Sequence, residues 1–96
     1  MEHWSEFLTQ DMSTDLVDGF RRGMTISELA AMLESHHGVP RSPMTLTAAF
    51  CHAFSLKLVH ASELRSWSGV GGRKSDAEFE EVFFPLLWQA LQDSQR

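Results

Sequence analysis

The sequence predicts an all-α fold, and three observations carry that expectation. Apolar residues recur at helical rather than strand spacing along most of the 96 residues. Two capping boxes, Thr25 with Glu28 and Ser75 with Glu78, mark helix starts. No segment shows the alternation of a half-buried strand, and no internal repeat or low-complexity tract is evident. At this length the chain is expected to form a single small helical domain over 1–96, because division would leave two cores too small to be stable.

Trp4, Leu8, Met12, Leu16 and Phe20 lie on one i, i+4 line with Phe7 and Val17 beside it, and Gly23 follows as a stop. This predicts a helix over 3–22, with the polar stretch Thr9 to Thr14 as the point at which it would divide, Ser13 or Thr14 serving as the new N-cap. The Thr25 box opens a second helix over 26–36, whose stripe is Ile26, Leu29, Ala30 and Leu33; Gly38 and Pro40 end it. Ser42 followed by Pro43 restarts the chain as a third helix over 43–54. With hardly a charge along it, this helix is expected at the centre.

A fourth helix over 56–65 is expected to be capped by Ser55, with Leu56, Val59 and Leu64 facing inward. Ser66 to Gly72 stops it and reads as a flexible, glycine-rich linker. The last helix, over 76–92, starts at the Ser75 box with Asp76, Glu80 and Glu81 near the positive end of its dipole. The five are expected to pack as an irregular orthogonal bundle around Leu29, Leu33, Phe50, Phe54, Val59, Leu64, Phe79, Phe83 and Leu87.

Composition narrows the function classes. An apolar content of 43% supports a packed core, and a formal charge of −5 opposes nucleic acid as a general partner. No apolar run approaches the roughly 18 residues of a membrane span. The single Cys51 cannot form an internal disulfide, and the start of the chain lacks a secretory pattern, so a reducing, bacterial-type cytoplasm is the expected compartment.

No catalytic or cofactor motif survives inspection. In Gly69 to Ser75, aligning Lys74 and Ser75 with the end of a phosphate loop puts Arg73 and Ser68 where glycines are required. His36 and His37 are adjacent, as are Cys51 and His52, and neighbours on a helix point about 100° apart, so no metal or cofactor is expected. Thr25 to Phe54 has the order of a helix-turn-helix. Its second helix opens without the Arg, Lys, Asn or Gln that read base edges.

What remains is surface for another protein or for a second copy of this chain. The last helix carries more apolar residues than one face needs, which nominates Phe83, Phe84 and Trp88, with Trp67, Arg65, Arg73 and Lys74 in the preceding basic loop. Glu2, Glu6, Asp11, Asp15 and Asp18 form an acidic face suited to a basic partner. The expected function is therefore non-enzymatic: a small interaction module, such as an immunity-type inhibitor or regulatory binding protein. The alternative is a transcriptional regulator touching nucleic acid through the loop 65–74.

Overall fold

In a computed structural model, which describes residues 8–94, Thr9 is extended (φ −105°, ψ 167°) and its hydroxyl accepts the Met12 N–H at 3.1 Å. The first helix, α1 (Gln10–Arg21), therefore begins there and not at residue 3. The apolar period runs on past Thr9 toward Trp4, but a threonine oxygen placed to take an orphan N–H ends the helix locally. Trp4 and Phe7, and with them Glu2 and Glu6 of the acidic face, lie outside the described residues.

The second helix, α2 (Ile26–His37), has both bonds of its capping box, and Gly38 closes it in the left-handed region at φ 67°. The third, α3 (Pro43–Phe54), follows the Ser42 cap with proline in its first turn and has the bounds its sequence predicts. It ends on Ser55, a non-glycine residue at φ 54°, so Ser55 closes α3 and does not cap the next helix as expected.

The fourth helix is a correction to the sequence reading. It is a single α-turn, α4 (Leu58–Ala61), that tightens into a 3-10 turn over Ser62–Ser66. A 3-10 turn repeats every three residues, and Ala61, Leu64 and Trp67 at that spacing are all fully buried. Val59, expected in the core on an α-helical period, is 69% exposed. The last helix, α5 (Asp76–Ser94), runs through Pro85 without ending, and Phe79, Phe83, Leu87 and Leu91 form its buried line.

A chain of rings joins these elements into one core. Trp67 stacks on Phe79 (6.0 Å between centroids) and Phe79 on Phe83 (4.8 Å); Phe83 meets Phe50 edge-on (5.3 Å), and Phe50 stacks on Phe54 (5.8 Å). Phe20 then closes the chain, edge-on to Phe54 at 5.5 Å and to Phe84 at 5.0 Å. Such pairs add about 0.5–1.5 kcal/mol each beyond their area burial. The fold is all-α, a small irregular helical bundle. Among the described residues, no helix is long and apolar enough to cross a membrane.

The acidic first turn of α5 does more than complement its own dipole. Glu80 accepts the backbone N–H of Ile26 at 2.8 Å, and Asp76 accepts the Ser27 hydroxyl on one oxygen and the Trp67 indole N–H (2.7 Å) on the other. Both carboxylates thus sit at the positive end of α2, where an anion is favoured. The Ser27 hydroxyl, and after it the Trp67 indole, holds the Asp76 carboxyl below the usual carboxylate range against the opposing effect of partial burial.

Candidate partner-binding groove

The outward face of α3 is open. Its inward residues Leu46, Ala49, Phe50 and Phe54 are buried, but Met44 is 65% exposed and Thr47, Ala48 and Cys51 are only half-buried. These outward residues, with Ser42 and Pro43, form one wall of a groove of about 840 Å³ whose other wall is Leu58, Ser62 and Arg65. The walls are tied together where the Thr47 hydroxyl reaches the Ala61 carbonyl at 3.5 Å. Leu58 is 71% exposed at the rim, beside the equally bare Val59. Among the described residues, the sole charge in the lining is the Arg65 guanidinium, and the lining holds no carboxylate.

The aromatic residues nominated from the sequence are elsewhere. Phe83 is fully buried among Phe50 and Phe79, and Trp67 is fully buried with its N–H on Asp76, so in this fold neither offers surface to a partner. Phe84 is half-buried against Phe20; Trp88 keeps 46% exposure while its ring lies 4.7 Å from that of Phe20. The surplus apolar surface of α5 is thus partly covered by Phe20 at the end of α1, while Val82 and Trp88 keep exposed surface. Arg73 is exposed, and Lys74 stands 3.9 Å from Glu63. Of the seven nominated residues, Arg65 alone lines the groove.

The basic loop is a closed structure and not a loose linker. Lys74 N–H donates to the Ser66 carbonyl (2.7 Å) and Ser68 N–H to the Lys74 carbonyl (2.8 Å), while Val70 and Gly72 donate to Trp67 and Gly71 to Ser68. These N–H groups, which a phosphate would need, are spent inside the loop. The Ser75 and Glu78 N–H groups at the start of α5 are taken by their own capping box. The acidic face of α1 is similarly engaged, since Asp15 pairs with His37 (2.7 Å) and Asp18 with Arg22 (2.9 Å).

Among the described residues, no group of three or more His, Cys, Asp or Glu side chains is placed to hold a metal ion. Cys51 lies in the groove wall, and burial pushes its thiol pKa up, which lowers the thiolate fraction at neutral pH. Alkylation of Cys51 by iodoacetamide at pH 7.5, followed by mass spectrometry, is expected to run slower in the folded protein than in urea. A faster folded reaction would reveal an activated nucleophile.

The charge-free sequence of α3 is itself the signal for the groove. A helix without charges is normally enclosed. On α3 only one face is, so the absence of charge on the other marks a surface left apolar in contact with solvent. The fold and the groove together define a helical domain with an accessible apolar cleft. Comparison with known proteins returns no matching family model, no matching curated protein and no matching solved structure.

Proposed function

We propose that this chain is a small protein-interaction module, acting as a regulatory or immunity-type binding protein, whose groove between α3 and α4 receives an apolar helical segment of another protein. The observation that carries this reading is the pair of bare side chains Met44 and Leu58 lining an almost uncharged cleft. Exposed apolar surface of this kind is costly in water and is covered on binding. A nucleic-acid strand finds one cation there instead of a basic track.

Leu58→Asp and Met44→Asp are expected to leave the fold intact, since both side chains face solvent, and to weaken partner retention at least tenfold. The check is capture from the native host's lysate on wild-type protein, on each variant and on a Val82→Asp control bearing its charge on α5. A protein held equally by wild type and Leu58→Asp, or lost only with Val82→Asp, overturns the reading. A dimer at micromolar concentration that Leu58→Asp dissolves makes the occupant a second copy, and also overturns it.

A further inference from the structure

The chemistry of the groove specifies more about its occupant than apolar character. Arg65 is exposed in the lining and makes no ion pair among the described residues. Arg22 holds Asp18, Lys74 faces Glu63, and Arg41 lies 5.9 Å over the Trp67 ring, where it also attracts Asp76; Arg21, Lys57 and Arg73 likewise make no ion pair among the described residues, but they lie outside the groove lining. In a chain of formal charge −5, a guanidinium alone in a cleft without a carboxylate is an isolated positive site beside apolar surface. A guanidinium presents a planar fork of donors that matches a carboxylate in two parallel hydrogen bonds.

Resting on the groove reading above, we infer that the segment bound there is an amphipathic acidic helix, with an apolar residue against Leu58 and Met44 and an Asp or Glu that pairs with Arg65. The spacing follows from the wall itself. Leu58 to Arg65 passes through an α-turn and then a 3-10 turn, a rise of about 12 Å. On a partner helix that distance is about two turns, so the carboxylate lies seven or eight residues from the apolar anchor. The pair sits at the rim of the groove, where salt still screens it.

The test is a phage-displayed library of helical 15-residue peptides selected on the wild-type protein. Winners are expected to carry apolar residues at i, i+3 or i+4 and an acidic residue about two turns away. Kd is then measured for the best peptide and its Glu→Gln (or Asp→Asn) form on wild type and on Arg65→Ala, with circular dichroism confirming that the variant is folded. Neutralising the peptide is expected to weaken binding five- to tenfold on wild type, at most twofold on Arg65→Ala, and less on both as salt rises. An equal loss on both proteins, or winners without acidic residues, overturns the acidic-helix inference while sensitivity to Leu58→Asp keeps the groove reading. Winners insensitive to Leu58→Asp overturn both.

Discussion

Replacing Trp67 with alanine is expected to destabilise the protein by about 4 kcal/mol or more. Among the described residues Trp67 is the largest fully buried side chain, and it touches the structure in three ways: its ring stacks on Phe79 at 6.0 Å, its N–H reaches Asp76 at 2.7 Å, and it fills the space beneath Gly69. Truncation leaves a cavity at the head of the aromatic chain, and truncation of a buried Trp alone typically costs about 3–5 kcal/mol. It also deprives the Asp76 carboxylate of one of its two side-chain donors, a further loss of roughly 1–3 kcal/mol if water does not replace it. A domain of this size has roughly 5–14 kcal/mol of stability in total, so the change removes a large share.

The measurement is a urea titration followed by circular dichroism at 222 nm. With m near 1–3 kcal/mol per molar, the midpoint is expected to fall by about 1.3 M or more. Trp67→Phe helps separate the contributions, since it removes the donor while keeping one stacked ring and leaving a smaller cavity than alanine does. The sign of the pH dependence follows from Asp76, whose folded pKa is depressed. Its contribution is present above its unfolded value of roughly 4 and is lost as pH falls through the folded one, so the deficit of Trp67→Phe should narrow in acid. A loss for Trp67→Ala below about 1.5 kcal/mol contradicts the packing given to this residue.

What the sequence made legible is local chemistry. The pairs Thr25–Glu28 and Ser75–Glu78, the Ser42–Pro43 start and the Gly38 stop each act within a few residues, and α2, α3 and α5 begin where these predict. The errors arise where two local signals compete or where tertiary packing decides. At Thr9 an N-cap prevails over an apolar period that continues past it. At Ser55 a serine adopts the left-handed conformation that glycine normally marks, which moves the next helix start and turns Val59 outward. The groove was illegible for a different reason. Charge-free α3 has the same residues whether it is wrapped on every side or on one, and in the fold its outer face, beside the single-turn α4, is open. Likewise, Asp76 and Glu80 look like dipole partners of their own helix until α2 is placed against them.

Gly72→Ala is the second change with a large expected effect, and it tests whether the loop before α5 is closed or loose. A Cβ at Gly72 falls 2.3 Å from the Ser66 carbonyl carbon, 2.4 Å from its oxygen and 2.5 Å from the Arg65 oxygen. All are backbone atoms, so no rotamer change relieves the contact; one strand of the loop must move off the other. That movement breaks Gly72 N–H to Trp67 and Lys74 N–H to Ser66, each worth about 1 kcal/mol, and displaces Trp67 beneath them. A loss of roughly 3–5 kcal/mol is expected, with thermal midpoint lowered by more than 10 °C. Gly71 supplies the internal control. It sits at φ 96° with nothing within 4 Å of a Cβ, so Gly71→Ala meets only the left-handed backbone penalty, about 1–2 kcal/mol, and Gly71→Asn less. A flexible linker predicts no such difference, because without tertiary contact both alanines merely restrict the unfolded chain and cost little. Equal thermal midpoints for Gly72→Ala and wild type therefore refute the closed loop, and with it the anchoring of Trp67 that places Arg65 at the edge of the groove.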